Sequence, residues 1–410
     1  MYAQKNAAVP LVAAEQKTNP YYLRTAYVFR LLKWSSVLLF ALYLSLMLVL
    51  QRDSITYENL MYLMRDLDIR SGSEAEFTEI VFEEQQNMRF VSFQNALAVA
   101  GSSGIRLYDS SGSHIFSDGL AYTNPVLMSG DKYMLLYDAG GYEYTLFTSL
   151  ARVEQRTTEN KIQYADVGEG GAYCIVTRSD ETKYEVSLYN SSFMRLARFY
   201  RDSYVISAAI HPEGSDVAVL SVLNAAGGFT GEVTFCSASS RETRSFSLGS
   251  ALPLGASWLE NGLLCVICDS GVYYLNRSGE EFAYIPLSGQ TLSFFSVSDN
   301  KAPLVCQENI LGSVSRILVL DAEGKTLFNE IRQERVLGIT ASSGRECAYI
   351  RYTDFVESVS IAETVTVPYS GRLLEIREVS GTPVLCFADR ALSLNSLVSE
   401  KTGENYEFDS

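Results

Sequence analysis

The sequence predicts an all-β protein: a β-propeller of eight blades, or seven with one divergent unit, behind an N-terminal single transmembrane helix and a short helical stalk. Three observations carry this. A turn motif recurs at a fixed period, apolar runs recur at the same spacing, and one stretch near the N-terminus holds no charge over seventeen residues.

The turn motif is an apolar residue, then Asp or Asn, two further residues and usually Gly. It reads Tyr108-Asp109-Ser110-Ser111-Gly112, Leu275-Asn276-Arg277-Ser278-Gly279 and Leu320-Asp321-Ala322-Glu323-Gly324, with Tyr189-Asn190-Ser191-Ser192-Phe193 as a degenerate copy. The Asp or Asn positions lie 81, 86 and 45 apart. These are one or two units of roughly 40–45 residues, the length of a four-stranded propeller blade. A tight hairpin explains the composition, because Asp or Asn caps the turn and Gly takes the positive-φ position.

The apolar runs share that spacing. They fall at 96–99, 173–176, 217–220, 263–266, 303–306, 347–350 and 383–386. Runs apolar on both faces suit strands sandwiched between neighbouring blades. Blade starts are expected near 88, 125, 163, 206, 254, 293, 337 and 375. The last unit is one strand short, and PheThrGluIleValPhe at 77–82 is a spare strand at the other end. That spare strand is expected to complete the last blade, so that no sheet edge is left open.

Trp34 to Leu50 reads WSSVLLFALYLSLMLVL. As a helix it would span about 26 Å against a hydrocarbon core of about 30 Å. No small-residue cleavage site follows it, which argues against a signal peptide. Lys5, Lys17, Arg24, Arg30 and Lys33 precede it against Glu15 alone. The positive-inside rule then places the N-terminus in the cytoplasm and the rest outside. The expected organisation is a basic cytoplasmic tail over 1–33, a transmembrane helix over 34–50, a helical stalk over 51–76, a propeller over 77–398 and an acidic disordered tail over 399–410. In the stalk, Leu60, Leu63, Met64 and Leu67 stand at helical spacing.

The repeats over 77–398 resemble those of WD40-like and quinoprotein-like propellers. They lack the Gly-His and Trp-Asp pair of WD40 blades, and the domain holds one tryptophan, Trp258. The whole layout is similar to an uncharacterised family of membrane-anchored propellers from clostridial (Firmicutes) bacteria. Its carriers are the basic tail, TyrValPheArgLeuLeuLysTrp leading into the span and GluAsnLeuMetTyrLeuMetArgAspLeuAsp after it. The resemblance names no activity.

A net charge of −15 excludes a broad nucleic-acid footprint, which needs a basic face. Seven cysteines cannot all pair within a monomer. Cys174, Cys265, Cys306, Cys347 and Cys386 sit in apolar runs and read as small buried hydrophobes. Cys265 and Cys268 have CxxC spacing, yet in a strand they face opposite sides. The two histidines, His114 and His211, lack partners at metal-ligand spacing, and His211-Pro212-Glu213-Gly214 reads as a surface turn. No GxSxG, P-loop, HExxH or calcium-loop motif occurs. No catalytic, cofactor or metal residue is therefore assigned, no cofactor is expected, and the binding residues stay open. The expected function is a non-enzymatic protein-binding scaffold at the cell membrane, with another envelope or membrane protein as partner. The alternative is an envelope sensor binding a small molecule or wall glycan in the channel; Tyr142 and Tyr144, or Tyr273 and Tyr274, could stack on sugars there, although core packing is the first reading of these pairs. A hydrolase with an acidic site ranks third.

Overall fold

The computed structural model describes residues 20–50, 77 and 79–395, apart from 226, 241, 299, 310, 345, 346, 362 and 363. The chain divides into two compact units, 1–64 and 65–410, taken separately below.

The first unit holds one described helix, Pro20–Leu50, 31 residues long. Proline suits a helix start, where its missing N–H would be unpaired anyway. The helix takes up residues 20–33 of the expected basic tail and runs through 34–50. Among the described residues, however, no helix is long and apolar enough to cross a membrane, so the expected transmembrane span is not borne out. The side chains of Leu44 and of 46–50, the most apolar part of that segment, lie outside the described ones. Residues 1–19, the stalk over 51–76 and the acidic tail over 399–410 also lie outside the described residues.

The second unit is a propeller of eight four-stranded antiparallel sheets. Blades 1 to 7 occupy 89–118, 125–157, 162–201, 204–249, 253–286, 291–332 and 338–368, and blade 8 begins at Leu373. Each first strand starts within two residues of the expected position. The count is eight, and the seven-blade alternative falls away. The first strands are innermost, because those of neighbouring blades approach one another around most of the ring.

The core lies between the blades. Eight clusters of buried side chains each join two adjacent blades, including the pair formed by blades 8 and 1. Strand periodicity sorts the side chains into these seams. In Leu264–Cys268, Leu264, Val266 and Cys268 enter the seam with blade 4, while Cys265 and Ile267 enter the seam with blade 6. The CxxC pair is thus split between two cores. All seven cysteines are free and buried.

The recurrent turns join the third and fourth strands of blades 1, 3, 5 and 6. In each, the side-chain oxygen of Asp109, Asn190, Asn276 or Asp321 accepts the backbone N–H four residues on, at 2.8–2.9 Å. Gly112, Gly279 and Gly324 have φ near +80°, and Phe193 takes the same position at 63°.

Ring closure uses both chain ends. The outer strand of blade 8 is Ile80–Val81, which pairs with Arg390–Ser393 through Ile80↔Ala391 and Val81↔Arg390. The Phe82 N–H continues the ladder to the Asp389 carbonyl at 2.9 Å. Phe77, Ile80 and Phe82 are buried in the seam between blades 8 and 1. Burying such a side chain stabilises by roughly 1.5–3 kcal/mol, so the short strand contributes mainly through its side chains. Deleting 77–82 is expected to lower the thermal midpoint of the whole propeller by at least 10 °C in one cooperative step, read by calorimetry. A deletion variant that melts like the intact protein would contradict this closure.

Candidate functional site

The first strand of each blade has one hydrogen-bonding edge turned to the central channel. Its N–H and C=O groups need partners or water. Several side chains reach across a seam to supply them. Asp166, on the first strand of blade 3, accepts the Ile210 N–H of blade 4 at 3.0 Å. Trp258 Nε1 of blade 5 donates to the Ala209 carbonyl of blade 4 at 3.1 Å. Thr340 of blade 7 donates to the Ile376 carbonyl of blade 8 at 3.2 Å.

Arg351 does this most extensively. Its Nη1 donates to the carbonyls of Leu373 and Leu374 in blade 8, and its Nη2 to that of Leu337 at 2.8 Å. It makes no ion pair among the described residues. Beside it lies a cleft of about 320 Å³ in the wall formed by blades 6, 7 and 8, lined also by Phe294, Phe295, Thr340, Glu375 and Arg377. Phe295 closes the wall toward blade 5 by packing on Gly255, where a Cβ would stand only 2.9 Å from its ring. Arg377 is held by Glu375 at 2.7 Å, which leaves the cleft without a free carboxylate–base pair.

A second feature lies on the rim carrying the connections into each blade and between its second and third strands. In blade 4 those two strands, Asp216–Ala225 and Gly228–Ser237, are ten residues each and rise above their neighbours. Phe229 sits near the tip, opposite Asn224, and is 67% exposed. Tyr204, paired with Val222 on the same sheet, is 49% exposed, and Ile206 and Leu252 are exposed nearby in the chain. Among the described residues, the exposed apolar side chains of the opposite rim, such as Met194 and Ile361, lie in separate blades.

The residues singled out in the sequence take other roles. His211 opens the expected turn, which the Gly214 N–H closes on the His211 carbonyl at 2.7 Å, but its side chain is buried instead of facing solvent. Its ring meets Trp258 edge-on at 4.6 Å, and its Nδ1 accepts the Glu213 N–H. Burial, then the nearby Arg277, holds its pKa below the usual histidine value. Arg277 itself joins blade 5 to Glu213 and Asp216 of blade 4. His114 packs edge-on against Tyr108 at 5.6 Å. Neither tyrosine pair forms a sugar platform. Tyr144 and Tyr274 are buried, and Tyr273 packs on Tyr284 at 4.4 Å, which leaves Tyr142 alone exposed. Among the described residues, no group of three or more His, Cys, Asp or Glu is arranged to hold a metal ion. The inter-blade staples had no signal in the sequence, because their partners lie in separate repeats.

Over residues 72–351 the chain matches the model of a family of unknown function, DUF5711. That is more than half of the chain, and the chain belongs to this family. No curated protein matches it. Among solved structures it is similar to a eukaryotic initiation factor at 13% identity, covering 76% of this chain and 83% of that one, with a TM-score of 0.51. Hydrazine synthase of Kuenenia stuttgartiensis gives 8% identity over 73% of this chain and 99% of that one, with a TM-score of 0.48. The WD40 domain of Neurospora crassa Pan2 gives 9% over 65% and 86%, at 0.44. The first likeness concerns the fold alone, and the other two carry no argument.

Asp166 makes the channel wall pH-sensitive. Burial pushes its carboxyl up to about 6, against the Ile210 and Val167 N–H groups, which favour the charged form. The unfolded carboxyl titrates near 3.9. The folded state therefore binds the extra proton. The stability this adds is full below about pH 4 and is lost as pH rises through 6. Asp166→Asn should gain roughly 1–3 kcal/mol relative to the native protein between pH 4 and 7. Denaturant titrations at several pH values check this, and a difference that stays constant across that range would refute it.

Proposed function

We propose that this protein is a non-enzymatic propeller that binds another envelope or membrane protein through the rim around the blade 4 hairpin. The observation that carries the reading is the exposure of Tyr204, Ile206, Phe229 and Leu252 on one rim, beside a channel wall in which Asp166 and Arg351 are engaged in holding the blades together. Large aromatic side chains exposed to water are the usual anchors of protein interfaces; Phe229 is such a side chain, and the Tyr204 ring also carries the Lys183 ammonium at 4.0 Å. A propeller needs no catalytic residue to bind on such a face.

The helix Pro20–Leu50 is the proposed membrane attachment, with the propeller outside. Its uncharged segment 34–50 and the exposed side chains of Val37, Leu38, Leu39, Phe40 and Leu42 support this, as does the basic flank before it. Arg24, Arg30 and Lys33 would remain on the cytoplasmic side.

Crosslinking in intact cells, with the full chain tagged at its C-terminus, tests both parts. An outside-only reagent should recover one protein in near-equal amount, and Phe229→Asp should cut that recovery at least tenfold without shifting the melting temperature. Recovery by a cell-permeable reagent alone would reverse the orientation. Equal recovery with Phe229→Asp would remove the rim from the reading.

A further inference from the structure

A crevice of about 170 Å³ runs between blades 2 and 3 and shares no lining residue with the channel cleft or the blade 4 hairpin. Blade 2 contributes Tyr144 and Arg156 to it, and blade 3 contributes Glu185, Ser187, Tyr189 and Arg195. Behind them Tyr173 and Tyr189 stack in parallel, 4.7 Å apart, and Tyr144 leans on Tyr173 at 5.9 Å. The Arg156 guanidinium lies 5.8 Å from the centre of the Tyr189 ring.

The hydrogen-bonding groups of this crevice are unbalanced. The half-buried carboxylates beside it are occupied: Glu185 takes Arg198 and the Ser187 hydroxyl, both at 2.8 Å, and Glu154 takes Arg156 at 2.6 Å, while the exposed Glu159 faces solvent at its edge. Two buried donors have no such match: the hydroxyls of Tyr144 and Tyr173 lie against each other without a well-formed hydrogen bond, and no other group satisfies either. Tyr144 is 1% exposed and Tyr173 is fully buried, yet Tyr144 forms part of the crevice wall. Burial pushes the Tyr144 phenol up to about 12 and the Tyr173 phenol higher still, so both keep their protons and each can donate one hydrogen bond. Arg195, exposed at the mouth, makes no ion pair or hydrogen bond among the described residues. A buried donor left unpaired costs about 1–3 kcal/mol, and two such donors beside two guanidinium groups favour a ligand that accepts.

We propose that the crevice between blades 2 and 3 is a binding site for a small oxyanion, a carboxylate or phosphate group, which accepts from the Tyr144 hydroxyl and pairs with Arg156 and Arg195. The volume is several times the roughly 30 Å³ share of one water, so a small organic acid or phosphate fits and a folded partner does not. Cation–π contact with Tyr189 holds Arg156 in place. The site is independent of the rim and of the partner that docks there.

Isothermal titration of the full chain in detergent micelles with inorganic phosphate and with acetate, at fixed ionic strength held with chloride, tests it. Saturable one-to-one binding of either anion is expected, and the tighter of the two identifies the headgroup class. Tyr144→Phe keeps the ring and removes the donor, and should weaken binding at least tenfold, as expected for a hydrogen bond to a charged group. Arg195→Gln, an exposed position, should weaken it at least threefold with an unchanged melting temperature. The absence of saturable binding by both anions would mean that water alone fills the crevice, and would overturn the proposal. So would equal affinity in the native protein and in both variants.

Discussion

Everything in the propeller depends on a strand of two residues. A ring of sheets packed face to face has no independent core in any blade, because each hydrophobic cluster belongs to a seam between two blades. If the last blade lacked its outer strand, the seam between blades 8 and 1 would lose Phe77, Ile80 and Phe82, and the faces they cover would meet water. The chain avoids this by lending its own start to its end. The pairing of Ile80–Val81 with Arg390–Ser393 is short, but the hydrophobic anchors on either side tie residues more than three hundred positions apart. The loop this closes is long, and closure entropy grows only slowly with length, so a few buried side chains suffice to hold it.

The seams then need specificity as well as apolar area, since eight similar sheets could slide past one another. Polar staples supply it. Trp258 to Ala209, Asp166 to Ile210 and Arg351 to the Leu373 carbonyl each link a side chain of one blade to a backbone edge group of the next. These bonds satisfy groups that the channel would otherwise leave to water, and they set the height of one blade against its neighbour. Asp166 achieves this at an electrostatic cost, which is why its carboxyl titrates high.

Much of the scaffold was legible in the sequence, for a definite reason. The turns at Asp109, Asn190, Asn276 and Asp321 are local devices: the capping oxygen and its N–H lie four residues apart, so the motif itself encodes the hairpin. The apolar runs of the second strands are equally local, since burial on both faces shows in consecutive residues. What is built from residues of separate repeats was hidden. His211 reads as a surface turn because its chain neighbours are Pro212, Glu213 and Gly214, while the Trp258 ring that buries it comes from the next blade. The tyrosine pairs read first as core, and the seam between blades 2 and 3 does bury Tyr144, while Tyr142 two residues earlier stays exposed. The crevice needs Tyr144 from one repeat and Arg195 from another, and no spacing announces it.

Native-state hydrogen exchange, followed blade by blade, tests the closed-ring account most directly. If every seam depends on closure, the slowest amides of Thr382–Phe387 in blade 8 and of Asp216–Ala225 in blade 4 should exchange with the same opening free energy, through a single global unfolding step. If the blade 8 amides instead exchanged orders of magnitude faster while blade 4 stayed protected, the ring would open locally at its joint, and the short N-terminal strand would not be the constraint that holds the fold together.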